Sequence, residues 1–279
     1  MKPICFYHDD MDGRCAGAIV NLAVPDLELR AIQYGDAIEL DDVRGRRVYM
    51  VDFCLQPFEL MEELQGAADY LVWIDHHKSA IDTARVRGFY SGGVLSIKWA
   101  ACELAWAEFN PRMPTPRAVR LLGRYDVWDH SDPATLPFQY GMRVGSASPS
   151  EAWWWEMLFK DEDLEGFLSS GHSILRYIEF HNAECAGDAF EVVLDELRCI
   201  AMNRMRENSK LFDTVYDPDR HDAMLTFGWR DGQWTFSLYS TREDVDVSEV
   251  AKRYGGGGHK GAAGFQRASL PFTLPRRPT

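Results

Sequence analysis

The segment Ile4-Cys5-Phe6-Tyr7-His8-Asp9-Asp10-Met11-Asp12-Gly13 runs an apolar, strand-like stretch into an imidazole and alternating carboxylates just before a glycine. On extended chain His8, Asp10 and Asp12 fall on one face, because successive side chains alternate sides, so the three converge. Oxygen and imidazole donors together suit Mn, Mg, Fe or Co better than a metal that seeks thiolates. Two plainer readings compete. A calcium loop can be aligned here, but it needs an acid where His8 stands and a bidentate glutamate where Ile19 stands. A polar turn with Asp12 capping a helix would account for the acids without any metal.

More such groups follow at the ends of apolar runs. Val48 to Val51 leads into Asp52, and Leu71-Val72-Trp73-Ile74 leads into Asp75-His76-His77. Ligands of open α/β sheets bind outside the carboxyl ends of the strands, which is where these clusters gather if the strands are parallel. Asp126, in Gly123-Arg124-Tyr125-Asp126-Val127-Trp128, follows an amphipathic stretch from Thr115 and is a fourth carboxylate, with Asp129 as its rival. Near the other end stands Gly255-Gly256-Gly257-Gly258-His259-Lys260-Gly261-Ala262-Ala263-Gly264. Four glycines in a row read most simply as a flexible linker. The adjoining His259-Lys260 and the small residues that continue to Gly264 favour backbone able to approach a phosphate closely. A Walker-type loop is excluded, since Lys260 lacks the preceding glycine and the following serine or threonine.

This ordered set, His-x-Asp-x-Asp-Gly, a lone Asp after an apolar strand, Asp-His-His and a later Asp, resembles the DHH phosphoesterases. The run from Gly255 to Gly264 resembles the signature of their DHH-associated C-terminal domain, in the branch of nano-RNases (oligoribonucleases) and bisphosphorylated-adenosine phosphatases. The resemblance implies an α/β fold: a mainly parallel sheet flanked by helices, a smaller α/β C-terminal domain, and an active site in the cleft between them. It implies two divalent ions, with Mn2+ expected and Mg2+ or Co2+ as alternatives. His8, Asp10 and Asp52 would hold one, and Asp12, Asp52, His76 and Asp126 the other. Asp75 would orient the histidine pair, and His77 would contact the substrate phosphate or carry a proton. Arg242, Gly257, Gly258, His259 and Lys260 would bind substrate; Arg143 and His130 are lesser candidates. A hydroxide shared by the two ions would attack phosphorus in short oligonucleotides or small nucleotide phosphates. Hydrolysis of inorganic polyphosphate or pyrophosphate is the alternative enzyme reading, and a non-catalytic nucleotide-binding protein the third.

Composition bounds the partners. A net charge of −13 argues against a protein that grips long duplex nucleic acid, which needs lysines and arginines to neutralise phosphates. No apolar run approaches the ~20 residues of a membrane span. The N-terminal charges leave no room for a signal-peptide core, so a cytoplasmic location is expected. Six cysteines without a Cys-x-x-Cys spacing read as buried free thiols in a reducing compartment. Whether the chain forms a homodimer stays open.

The positioning elements are read as alternating strands and helices over residues 1–149: strands Ile4–Tyr7, Leu27–Tyr34, Val48–Val51 and Tyr70–Ile74, with helices Gly13–Ala23 and Pro57–Gln65. Leu95, Trp99, Cys102 and Trp106 at helical spacing predict a helix over Gly92–Phe109, and a second is predicted from Thr115 with Pro116 at its first position. Residues 150–189, with Trp153-Trp154-Trp155, are read as a helical connector. Residues 190–270 are read as a β-rich C-terminal domain with a hairpin turn at Arg230-Asp231-Gly232-Gln233, and residues 271–279 as a disordered tail.

Overall fold

A computed structural model describes residues 1–275; residues 276–279 of the expected tail lie outside the described residues. The chain divides into two compact units, Met1–Leu175 and Arg176 onward. In the first, strands β1 (Ile4–His8), β2 (Glu28–Ile32), β3 (Arg47–Val51) and β4 (Tyr70–Ile74) alternate with helices α1 (Met11–Ala23), α2 (Leu40–Val43) and α3 (Glu59–Ala67). The helices α4 (Lys78–Arg87), α5 (Ala101–Phe109), α6 (Arg117–Asp126), α7 (Thr135–Met142), α8 (Ala152–Phe159) and α9 (Leu164–Cys185) follow.

All strand pairs are parallel, in the order β2-β1-β3-β4. The register pairs Tyr7 with Val51 and Val51 with Ile74, so His8, Asp52 and Asp75 leave the sheet at one edge. The chain moves from β1 to β2 on one side and on to β3 on the other. His8 and Asp52 therefore flank the switch point where α/β sheets place ligands.

Both faces of the sheet are covered, which is why the strands read as continuous apolar runs. Cys5, Tyr49, Val51, Val72 and Ile74 pack with α1, α5 and α6 on one face. Ile4, Phe6, Val48, Met50, Leu71 and Trp73 pack with α3 and α4 on the other. Trp155, Leu158, Leu164 and Leu168, from the stretch read as a connector, belong to the first of these cores.

One predicted helix is corrected. Residues 92–96 are extended: Gly92 and Leu95 bridge in parallel to Val72 and Asp75, and α5 begins only at Ala101. The outer edge of β4 needs acceptors for its backbone N–H groups, and Gly92 O and Val94 O supply them to Trp73 and Asp75. That demand overrides a periodicity that continued by coincidence into Leu95 and Trp99.

In the second unit β5 (Phe190–Leu194), β6 (Leu197–Met202), β7 (Ala223–Arg230), β8 (Gln233–Tyr239), β9 (Gly257–His259) and β10 (Ala262–Arg267) form one mixed sheet, ordered β5-β6-β7-β8-β10-β9. Helix α10 (Val247–Arg253), capped by Asp246, packs Val247, Val250 and Ala251 into its core with Phe227, Phe236 and Phe265. The turn between β7 and β8 holds Asp231 and Gly232 at φ 49° and 83°, as the Asp-Gly pair predicts. Phe272, assigned above to a disordered tail, instead packs edge-on against Phe227. All six cysteines are buried and unpaired. No helix of the described residues is long and apolar enough to cross a membrane.

Trp73 is fully buried, and its indole N–H donates to Phe53 O at 2.9 Å, fixing the backbone next to Asp52. Trp73→Phe leaves that buried carbonyl without a donor, at a cost of about 1–3 kcal/mol. Urea unfolding followed by circular dichroism measures it; a loss near zero would mean that the carbonyl finds another partner.

Candidate metal centre

The strand β1 stops at His8, and the chain turns at once into α1. Asp10 is the helix N-cap, accepting from Gly13 N–H at 2.9 Å, and Asp12 lies in the first turn. A Cβ at Gly13 would come within 2.2 Å of His8 O, so only glycine permits this turn. The expected alternation on one extended face is thus corrected: a tight strand-to-helix turn, capped by Asp10 and not by Asp12, sends the three side chains to different partners.

His8 Nδ1 lies 2.9 Å from Asp10 Oδ2 and 3.5 Å from Asp52 Oδ2. His76 Nε2 lies 3.1 Å from Asp126 Oδ2, 3.3 Å from Asp52 Oδ1 and 3.7 Å from Asp12 Oδ2. Donor atoms fall within 4.8 Å of one another in three groups: His8, Asp10 and Asp52; Asp12, His76 and Asp126; and Asp52, His76 and His77. Asp52, which is buried, faces both histidines with different oxygens. Its backbone is left-handed at φ 58°, a conformation aspartate tolerates better than most residues, and its N–H donates to Ile74 O.

Asp12 is held from behind. Its two oxygens accept from Ala101 and Cys102 N–H at 2.8 Å each, at the N-terminus of α5. That helix starts at Ala100 with no side-chain cap of its own, so a carboxylate remote in sequence supplies one. Asp75, fully buried, accepts on Oδ1 from His76 N–H, His77 N–H and His77 Nδ1 at 2.7, 3.1 and 2.7 Å. Donation by Nδ1 leaves His77 Nε2 as the ring atom without a tether. Asp129, the rival of Asp126, accepts from Ser131 N–H and faces Arg124 instead of His76.

The donor set fits divalent cations. His8 Nδ1, both oxygens of Asp52 and His76 Nε2 are buried without hydrogen-bond partners, a costly condition for polar atoms that a cation would relieve. Burial raises the pKa of Asp52, and burial together with Asp52 and Asp126 raises that of Asp12. Asp10 and then Asp52 hold His8 up at about 10. Burial opposes charge on His76, but Asp126 and Asp52 prevail and hold it at about 11. The hydrogen bond to Asp75 raises His77.

Beside this centre opens a cavity of about 310 Å3, with Asp10, Asp12 and Asp126 on its wall together with Arg14, Gln139 and Arg143. The sequence reading missed Arg14 and Gln139. The one signal for them was an arginine and an amide beside helical segments whose apolar neighbours go to the core.

The substrate-binding candidates of the glycine run belong to the second unit. The hairpin β9–β10 pairs His259 with Ala262 and Gly258 with Ala263, leaving Gly257, Gly258, His259 and Lys260 exposed. Gly258 has φ 142° and a Cβ there would reach Ala263 Cα at 2.5 Å. Arg242 is engaged: Asp244 accepts from Nε and Nη2 at 3.0 and 2.6 Å, and Asp222 and Pro218 O accept from Nη1 at 3.2 and 3.0 Å.

No protein-family model matches the chain. The uncharacterised protein R106 of Acanthamoeba polyphaga mimivirus is 23% identical over 255 residues, covering 85% of this chain and 56% of that one; the chain thus spans about half the length of the curated relative it matches. RecJ of Thermus thermophilus, in complex with Mn2+, aligns at 15% identity and a TM-score of 0.46 over 94% of this chain and 49% of that one. The pGpG-specific phosphodiesterase PggH of Vibrio cholerae aligns at 13% identity and a TM-score of 0.53, over 95% of this chain and 93% of that one. The chain has the DHH fold. The DHH fold expected from the motifs is therefore present, with the strand-end acids of the motifs gathered at one sheet edge.

With His8 and His76 held protonated at neutral pH, a divalent cation must displace those protons, so loading tightens as pH rises from 7 toward about 10. Calorimetric titration with Mn2+ in buffers of different ionisation enthalpy should report about two protons released at pH 7. Release of none would mean that the two imidazoles are not ligands.

Proposed function

We propose that the first unit is the two-metal centre of a phosphoesterase that hydrolyses short oligonucleotides or small nucleotide phosphates, with oligoribonuclease-like specificity. The carrying observation is the Asp52 carboxylate, buried without a hydrogen bond on either oxygen and set between His8 and His76. His8, Asp10 and Asp52 would hold one cation, Mn2+ in the first instance and Mg2+ or Co2+ otherwise; Asp12, Asp52, His76 and Asp126 would hold the other. Such a pair supplies an activated water and offsets the charge of the phosphoryl oxygens.

The chain's own groups divide the remaining work. Asp75 fixes the His77 ring through Nδ1 and directs Nε2 outward, where it meets the scissile phosphate and passes a proton to the leaving oxygen. Asp12 is immobilised by two backbone N–H groups, so its place in the centre costs little reorganisation. A nucleotide is favoured over polyphosphate by the aromatic surface that adjoins Asp126. Trp128 is 74% exposed, in left-handed backbone at φ 61°, with its ring 4.9 Å from His130 and 6.4 Å from Tyr125. An aromatic face left open beside a phosphoryl-transfer centre suits base stacking, about 1–3 kcal/mol per base, and a polyphosphate has nothing to place there. The neighbour PggH is a pGpG-specific phosphodiesterase, and we take the same class of substrate for this chain. In the second unit, taken by itself, the exposed His259 and Lys260 with the backbone of Gly257 and Gly258 offer donors for a phosphate, and Arg242 would join such donors on exchanging Asp244 for one.

A Mn2+-supplemented panel of dinucleotides, longer RNA and DNA, bisphosphorylated adenosine, cyclic dinucleotides and polyphosphate tests the reading. Dinucleotides should be turned over fastest, Asp52→Asn should abolish turnover of all, and Trp128→Ala should lower dinucleotide kcat/KM about tenfold. Activity retained in Asp52→Asn would overturn the two-metal reading, and preferred cleavage of polyphosphate would move the substrate to that class.

A further inference from the structure

Three aromatic rings meet at the His8 side of the centre. The His8 imidazole lies 5.7 Å from the Phe53 ring centroid and 5.9 Å from that of Tyr34, edge-on to the latter, and the Tyr34 and Phe53 rings are 4.8 Å apart. Phe53 is 2% exposed and Tyr34 58%. Covering Phe53 is a packing task that any bulky apolar side chain would perform. It leaves unexplained why the cover is a tyrosine with more than half its surface open beside a residue of the metal centre.

The backbone holds that ring in place. β2 pairs Ile32 with His8, and directly after it Asp36 N–H donates to Gln33 O at 3.0 Å while Asp36 Oδ2 accepts from Gln33 N–H at 2.8 Å. The turn so closed has Tyr34 at its second position and Gly35 at its third, with φ 100°, a conformation that favours glycine. Gln33 Nε2 also donates to Asp9 O at 3.4 Å, tying the turn to the segment that carries His8 and Asp10. A ring fixed in advance loses little freedom when a flat ligand settles on it.

Strand order sets what such a ring can reach. With the order β2-β1-β3-β4, the carboxyl edge of the sheet presents Tyr34, His8, Asp52 and His76 in that succession, and Asp126 joins at the far end, 3.1 Å from His76. Trp128 follows Asp126 by two residues and is 74% exposed. At about 4.8 Å per strand the row from β2 to β4 is roughly 14 Å long. Bases stacked on one another are about 3.4 Å apart, so one dinucleotide reaches both rings only with its bases splayed to either side of the phosphate between them.

We propose that Tyr34 is a specificity-determining residue on which one base of a dinucleotide stacks beside His8, while the other base stacks on Trp128 beyond Asp126 and the scissile phosphate lies between them. The inference rests on the phosphoesterase reading and on the stacking role of Trp128, and adds to them a second platform at the opposite end of the row.

The test uses ApA and two analogues in which either the 5′ or the 3′ adenine is replaced by hydrogen, on the Mn2+-loaded full chain. In wild type, loss of either base should lower kcat/KM about tenfold, within the range for one base on an aromatic ring. In Tyr34→Leu or Tyr34→Met, which still cover Phe53 but have no aromatic face, loss of one of the two bases should cost less than about twofold while loss of the other keeps its full effect. Trp128→Ala should show the converse pattern, and Tyr34→Phe, which keeps the ring, should behave as wild type. Calorimetric binding of the same three ligands with Ca2+ in place of Mn2+ reads the pattern without turnover. Turnover with no base penalty in wild type, with both penalties intact in Tyr34→Leu and Tyr34→Met, or with Tyr34→Leu and Trp128→Ala insensitive to the same base would overturn the proposal alone. The pattern seen in affinity, without hydrolysis of any dinucleotide, would sink the phosphoesterase reading and leave the Tyr34 platform standing.

Discussion

The centre depends on one unfavourable arrangement, the gathering of carboxylates in a small volume with too few protein donors to satisfy them. Asp52 is the extreme case, buried with both oxygens unmatched, and Asp12 and Asp126 approach the same imidazole from other directions. Such a cluster is stable only with compensating positive charge, from protons on His8 and His76 or from cations. The parallel register makes the gathering unavoidable, since it brings the ends of β1, β3 and β4, with the acids that follow them, to one edge.

Around this edge the surrounding elements act as supports. The β4 backbone is clamped on its outer side by Val94 and Ser96, which fix Asp75 at both N–H and C=O. Trp73 pins Phe53, the residue after Asp52. The N-terminus of α5 pins Asp12. Each support is a hydrogen bond to a residue adjoining the cluster or within it, so the cost of crowding the acids is offset by bonds within the protein.

Much of this was legible in the sequence. The strand-end positions of His8, Asp52 and His76 follow from apolar runs whose lengths match buried parallel strands, and Asp126 followed from its place after an amphipathic helix. Where Asp10 and Asp12 go was not legible, because strand alternation was assumed to persist where the chain turns, and the decisive signal was Gly13. The helix predicted over Gly92–Phe109 failed because hydrophobic spacing cannot register the unmet backbone donors of a neighbouring strand.

The capping of α5 by Asp12 has one more consequence. The carboxylate that faces His76 at 3.7 Å also closes a helix with both of its oxygens, so the helical half of the core and the centre share a single side chain. A change of charge at the centre therefore bears directly on the start of α5, where the buried Ala100, Ala101 and Cys102 follow the exposed Ile97 to Trp99. In this molecule the crowding of the acids and the first turn of a core helix meet in one residue.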